Sequence, residues 1–237
     1  MSPPDRERMP DNEAGRPVRD GRVPIQAVRR LSLYLRELEA LVRKDRQTIS
    51  SRELGDLLSL TDAQVRKDLA YFGQFGHPGV GYRVDELIAR IRSILGTDRT
   101  WRAVLVGAGH LGTALLSYRG FFIKGFQIVA AFDSDPAKIG RVVGVPPGLE
   151  ILPLDRIEST ISEKAAEMAI LCVPSEVAQD LADRLVAAGI RGILNFAPQM
   201  INVTEDVSVG SVDLAQRLEQ LAFHISANRL ADDKIGR

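Results

Sequence analysis

The chain has 237 residues, 45% hydrophobic and 26% charged, which suits an ordinary soluble protein with two modest domains, each with a core. No apolar run approaches the ~20 residues that span a bilayer, the first 21 residues lack the apolar segment of a secretory signal, and the single cysteine, Cys172, excludes an internal disulfide, so a cytoplasmic protein is expected. Net charge is zero but uneven: Arg22 to Arg83 holds eleven Lys/Arg against seven Asp/Glu, and Thr100 to the end thirteen against sixteen, so the halves are expected to meet different partners.

Residues 1–22, rich in Pro, Arg, Asp and Glu, have almost nothing to bury and are expected to be a disordered tail. From Ile25 to Val42, apolar residues recur at three- and four-residue steps, one face of a helix opened by Pro24. Ser50-x-x-Glu53 reads as a capping box for a short helix through Leu58, and Thr61-x-x-Gln64 as a second box for a helix to about Phe72. Only Ser59 and Leu60 separate them, so the spacing predicts a helix-turn-helix. GQFGHPGVGYRV then alternates Val80, Tyr82, Val84, which predicts a tight hairpin or wing, and residues 85–99 a further helix. Residues 23–98 are therefore expected to form a winged-helix DNA-binding domain.

From Trp101 the pattern becomes strand and helix in alternation. Strands are expected at Ala103–Gly107, Phe126–Phe132, Met168–Val173, Gly192–Phe196 and, more weakly, Val207–Val209, with helices near 110–119, 153–163 and 175–188. Such alternation predicts an α/β fold with a parallel sheet covered on both faces. Residues 99–210 are assigned to this Rossmann-type domain. The remaining 211–237 are assigned to a terminal helix carrying two apolar stripes, Leu214, Leu218, Leu221, Ile225 and Val212, Ala215, Ala222. So wide an apolar arc needs more than one surface to cover it, hence a dimer-forming helix.

Gly107-Ala108-Gly109-His110-Leu111-Gly112 follows a strand and opens a helix, the context in which GxGxxG binds a dinucleotide. Gly107 permits the turn, Gly109 lets backbone approach a pyrophosphate, and Gly112 lets helix pack on strand, while first-turn amides meet the phosphates. Asp133, ending the next strand, is expected to bond the adenosine ribose and favour NAD+ and NADH over the 2′-phosphorylated forms. Val173, Pro174, Asn195 and Phe196, in loops at strand carboxyl ends, are expected near the nicotinamide. A dehydrogenase would also need an acid or base and a substrate domain. None of His77, His110 and His224 sits in a recognisable pairing with a carboxylate, only one helix remains after the nucleotide fold, and no metal-ligand cluster stands out; catalysis and metal binding are not expected. In the front half, Gln64, Arg66 and Lys67 on the second helix, Ser51 on the first, and Tyr82 and Arg83 on the wing are the candidate DNA contacts. A dehydrogenase with a short helical appendage, and a nucleotide- or CoA-binding scaffold, remain the alternative readings.

Several stretches resemble the Rex family of redox-sensing bacterial repressors: SLYLRELEAL, QVRKDLAYFGQFG, GVGYRV, VGAGHLGTALLSYRGF, FDSDPAKIG, ILNFAP and SVDLAQRLEQLAF, in the family's order from about Pro24 to Ile225. The resemblance implies a homodimer that binds a palindromic operator while NADH is scarce and leaves it when NADH binds, without a membrane or metal role. By residue match it assigns Gly107 to Gly112 and Asp133 to the cofactor, and Arg66, Lys67 and Tyr82 to DNA. It also implies a switch relay of Arg36, Tyr118 and Asp213, the last at the start of a swapped terminal helix. Two positions depart from the family: His77-Pro78-Gly79 stands where a wing Thr-Arg-Gly is common, and His110 where asparagine is common.

Overall fold

The computed structural model describes residues 23–76 and 81–235, with side chains described to residue 227. The expected tail over residues 1–22 and the wing tip at His77, Pro78, Gly79 and Val80 lie outside the described residues. The chain divides into two compact units between Arg99 and Thr100.

The first unit contains α1 (Ile25–Val42), β1 (Thr48–Ile49), α2 (Ser51–Asp56), α3 (Asp62–Ala70), β2 (Tyr82–Arg83) and α4 (Val84–Ile94). The α1 face that periodicity predicted turns Ala27, Leu31, Tyr34, Leu35 and Leu38 inward, where they meet Leu54, Val65, Leu69, Leu87 and Ile91 in one core. Each large aliphatic side chain so buried is worth about 1.5–3 kcal/mol. Ser50 and Glu53 complete a reciprocal capping box on α2, which ends at Asp56, two residues earlier than expected. The second box closes on one side. Thr61 accepts from the Gln64 amide nitrogen, but the Gln64 side chain turns away to Asp68. The expected hairpin is also different. β2 pairs antiparallel with β1, Thr48 opposite Arg83 and Ile49 opposite Tyr82, and Val84 already starts a helix. The Val84 N–H donates to the Gln47 carbonyl, and Asp85 and Glu86 fall in the first turn of α4, where carboxylates favour the positive helix end.

The second unit runs β3 (Trp101–Val106), α5 (His110–Leu116), α6 (Gly120–Ile123), β4 (Phe126–Asp133), β5 (Val142–Val143), β6 (Leu149–Pro153), α7 (Ile157–Lys164), β7 (Met168–Leu171), α8 (Ser175–Ala187), β8 (Gly192–Asn195), β9 (Ser208–Ser211) and α9 (Leu214–Ile235). The sheet order is β5-β6-β4-β3-β7-β8-β9, parallel throughout except for β5 against β6. Without its antiparallel edge this is the doubly wound order 3-2-1-4-5-6, whose reversal lies between β3 and β7. The short edge pair β5–β6 was not among the expected strands.

One sheet face is closed by α7 and α8 through Ile157, Ile161, Ala178, Leu181 and Leu185. On the other, Leu115 and Leu116 of α5 and Phe121 of α6 pack against Leu105, Ile128 and Ala131. Over β7, β8 and β9, no described helix covers that face, because residues 196–207 join β8 to β9 without one. An apolar groove of about 360 Å³ results, floored by Met168, Ile170, Leu194 and Gly210. After β9 comes α9, exposed at every described position, with Leu214, Leu218, Leu221, Phe223 and Ile225 facing water. Among the described residues, no helix is long and apolar enough to cross a membrane, and no His, Cys, Asp and Glu group is placed to hold a metal ion.

Candidate cofactor site and nucleic-acid interface

The glycine turn sits at the sheet reversal. Gly107 has φ +96° and donates its N–H to the Phe132 carbonyl at 2.8 Å. A Cβ there would lie 2.3 Å from the Cys172 carbonyl oxygen, so the turn is pressed against the end of β7. At Gly112 a Cβ would lie 2.0 Å from the Gly107 oxygen, which makes it the close contact of helix on turn. Gly109 is the opposite case: a Cβ there would meet nothing within 4 Å. The three expected roles of turn, open approach and packing therefore fall on the expected residues. His110 and Leu111 are exposed at the start of α5, where first-turn amides have no acceptor within the helix.

Asp133 requires a correction. Its side chain is committed inward: Oδ2 accepts from the Ala108 N–H at 2.8 Å and Lys138 Nζ at 3.0 Å, and Oδ1 from the Asp135 N–H at 2.9 Å. At 7% exposure it ties the glycine turn to the loop after β4 and is no free ribose acceptor. Asp135, two residues on, keeps a side chain 46% exposed; it spends Oδ1 on the Ala137 N–H, and its Oδ2 lies 3.9 Å from Lys138 Nζ. FDSDPAKIG contained both carboxylates and Lys138, but nothing in the pattern says which carboxylate turns inward.

Asn195 ends β8, as expected, with its side chain turned inward. Fully buried, it donates from Nδ2 to the Gln199 carbonyl and accepts at Oδ1 from the Ala197 N–H, while its own carbonyl receives the Val212 N–H. It shapes the loop after β8. Val173 packs by the Gly107 turn, Pro174 opens α8 in extended conformation, and Phe196 is half-buried beside the bare face. Burial pushes the Cys172 thiol up to about 11, so it stays protonated and unreactive at neutral pH.

In the first unit, exposed Arg66 donates to Asp62 Oδ2 at 2.7 Å and to Ser51 Oγ at 3.2 Å, bridging α3 to α2. Lys67 is exposed and unpaired among the described residues. Arg83 pairs with Asp85 at 2.8 Å and Glu86 at 3.1 Å. These exposed pairs are weak, so exchanging a carboxylate for a DNA phosphate costs little. Tyr82, expected as a DNA contact on the wing, has its ring in the core and is 9% exposed. Gln64 is not free either, since its Nε2 donates to buried Asp68 at 2.7 Å.

The three residues expected to form a relay are all exposed. Arg36 lies 3.0 Å from Glu37, Tyr118 is 60% exposed with its ring edge-on to Phe121, and Asp213 Oδ1 accepts from the Gln216 N–H at the start of α9.

The two buried aspartates predict an acid limit. Burial works to raise Asp68, but hydrogen bonds from Arg30, Tyr34 and Gln64 outweigh it and hold the carboxyl below its ordinary range. At Asp133 burial is likewise outweighed, by the Asp135 N–H, Lys138 and the Ala108 N–H. A depressed native pKa means the unfolded chain, with aspartates near ~3.9, takes up protons first. Stability from these groups is thus intact above about pH 5 and is lost as pH falls below about 4 towards the native values. Thermal melts are expected to be level from about pH 7 to 5 and then to drop, and Asp133→Asn to drop less over the acid range; equal drops would remove Asp133 from this account.

Comparison with known proteins agrees with this geometry. A family model described as a putative DNA-binding protein N-terminus matches residues 22–70, and one described as a CoA binding domain matches residues 98–199. The redox-sensing transcriptional repressor Rex of Carboxydothermus hydrogenoformans is 50% identical over 204 residues, covering 86% of this chain and 97% of that protein. Rex of Desulfitobacterium hafniense is 46% identical over 208 residues, covering 88% and 98%. Among solved structures, RSP in complex with β-NAD+ and operator DNA superposes with a TM-score of 0.84 at 36% identity, covering 92% of this chain and 99% of that one. RSP in complex with β-NADH gives 0.80 at 35% identity, covering 90% and 99%. With a helix-turn-helix unit, a glycine turn at a sheet reversal and relatives named as repressors and not as dehydrogenases, the chain belongs to the Rex family of redox-sensing transcriptional repressors.

Proposed function

We propose that this protein is a cytoplasmic homodimeric repressor that binds a palindromic operator while NADH is scarce and leaves it when NADH occupies the glycine turn. The observation that carries this reading is the joining, in one chain, of a glycine turn with open space at Gly109 to a helix-turn-helix with exposed Arg66 and Lys67. The turn from Gly107 to Gly112 receives the pyrophosphate, and Asp133 holds that turn in shape. Asp135 is the carboxylate left exposed for the ribose. Val173, Pro174 and Phe196 border the nicotinamide end. When bound, NADH supplies a neutral ring where NAD+ supplies a cationic one, and an apolar closed pocket disfavours burying that charge. Moving a two-state population from 1:99 to 99:1 needs about 5.5 kcal/mol of differential binding, so the charge difference has to be felt in a closed site.

The bare sheet face supports the dimer. The stripe of α9 and the groove over β7, β8 and β9 are both apolar and uncovered, and exchange of α9 between two copies would cover both. The relay is read on the same footing: Asp213 on α9, Arg36 on α1 and Tyr118 after α5 are exposed groups able to exchange charge-assisted partners between two arrangements.

The decisive measurement is operator release titrated with NADH, NAD+, NADPH and CoA. NADH is expected to release DNA at far lower concentration than the others, and Asp213→Ala to bind DNA with a shifted NADH response. Equal potency of NADH and NAD+ would sink the redox reading, and release by CoA would favour the scaffold alternative suggested by the match at residues 98–199.

A further inference from the structure

Asp68 is fully buried in the first unit, yet its carboxylate takes four hydrogen bonds. Arg30 of α1 forks onto both oxygens, the Tyr34 hydroxyl donates to Oδ2 at 2.7 Å, and Gln64 Nε2, one turn earlier on α3, donates to Oδ1 at 2.7 Å. Every donor comes from α1 or α3, so this carboxylate fastens the second helix of the helix-turn-helix to the long first helix. Leaving such a charge without its partner is costly, which keeps the cluster together.

The cluster also determines which end of the Gln64 amide faces out. An ionised carboxylate only accepts hydrogen bonds, so the amide must turn its NH2 group towards Asp68; the opposite orientation would set oxygen against oxygen. Gln64 Oε1 accepts nothing among the described residues, and one Nε2 hydrogen is already spent. Gln64 is the third residue of α3, in the part of a recognition helix that meets base edges. In the major groove, adenine and cytosine offer an amino donor, whereas guanine and thymine offer a keto oxygen.

We propose that Asp68 is a positioning residue for operator specificity: by holding the Gln64 amide oxygen outward, it makes one position of each half-site require an amino base, adenine or cytosine, and reject a keto base. This rests on the DNA-binding reading above. Arg66 and Lys67 supply phosphate attraction whatever the base, and the buried carboxylate sets the polarity of the one amide that reads it.

The test is binding-site selection from a random duplex library by the full-length protein, followed by affinity measurements on single-base variants of the selected site. Wild type is expected to prefer amino over keto bases by roughly 10-fold at one position per half-site. Gln64→Met, of similar shape but without the amide, is expected to lose that preference while the other positions keep theirs. Asp68→Asn lets the Gln64 amide turn over, so the same position is expected to accept a keto base. A merely structural role for Asp68 would instead weaken all positions alike. The proposal is overturned if Gln64→Met changes no position selectively, or if Asp68→Asn, folded by circular dichroism, keeps the wild-type preference. Should Asp68→Asn not fold, Gln64→Met decides. Selection of no sequence by wild type would overturn the DNA-binding reading itself.

Discussion

Gly112→Ala is expected to abolish the response to NADH and leave operator binding intact. The added methyl would stand 2.0 Å from the Gly107 carbonyl oxygen and 3.0 Å from its carbon, both backbone atoms. Gly107 has no room to retreat, because its own Cα side is pressed against the Cys172 carbonyl. The turn must therefore open, moving the amides that face the phosphates. Overpacking of this kind costs about 1–3 kcal/mol, and the loss of aligned phosphate donors adds to it, so NADH affinity is expected to fall at least about 100-fold. The helix-turn-helix lies in the other compact unit and keeps its own core, so DNA affinity without cofactor should match wild type. NADH fluorescence titration beside an operator-binding assay checks both halves. NADH binding within threefold of wild type would refute the assignment of this turn. Gly109→Ala makes a useful contrast: its methyl enters open space, so that variant should fold unchanged and lose affinity only through contact with the ligand.

The second large effect concerns α9. Leu218→Asp combined with Leu221→Asp places two carboxylates on its apolar stripe, where an interface would have to bury them unpaired. The variant is expected to sediment as a monomer. It should also lose palindromic operator affinity by roughly 10²–10⁴-fold, since the second half-site is then no longer presented at high effective concentration. Binding to the glycine turn involves no residue of the stripe, so NADH should still bind, more weakly where closure needs both copies. A variant that remains a dimer by analytical ultracentrifugation would remove α9 as the interface. Because both substituted side chains are exposed in the single chain, their replacement does not disturb its core.

Much of this fold is legible in the amino-acid sequence. The helix from Ile25 to Val42 has the bounds its periodicity predicts, since one face of leucines at three- and four-residue steps is a local property. The glycine turn was legible for the same reason: strand, turn and helix are contiguous, and each glycine has a local steric task. What escaped depends on contacts between distant segments. Tyr82 and Arg83 find their strand partner in Thr48 and Ile49, far upstream, so a hairpin was expected where the register is long-range. Leu149–Pro153 is a five-residue strand, next to the sheet edge, that ends in proline, without alternation long enough to stand out from the helix after it. Asp133 and Asn195 were at the right strand ends, but the direction of a side chain is decided by the donors around it. The Ala108 amide and Lys138 claim one, and the Gln199 carbonyl and Ala197 amide the other. Asp68 drew no notice for the same reason, because its three partner residues assemble only when α1 crosses α3.

The grip of Asp133 on the Ala108 amide reaches into cell physiology. A turn held from behind by its own protein is already shaped before any dinucleotide arrives, and since the two redox forms carry the same phosphates and riboses, the proposed site would receive that part of both alike. The two forms then compete for one ready-made seat. Once their combined concentration far exceeds the weaker dissociation constant, the seat is nearly always filled, and the fraction filled by each depends on their relative amounts. Doubling the whole nucleotide pool changes nothing. A cell that grows, starves or rebuilds its nicotinamide supply would leave the repressor's output unmoved, and only a change in electron flow would shift it.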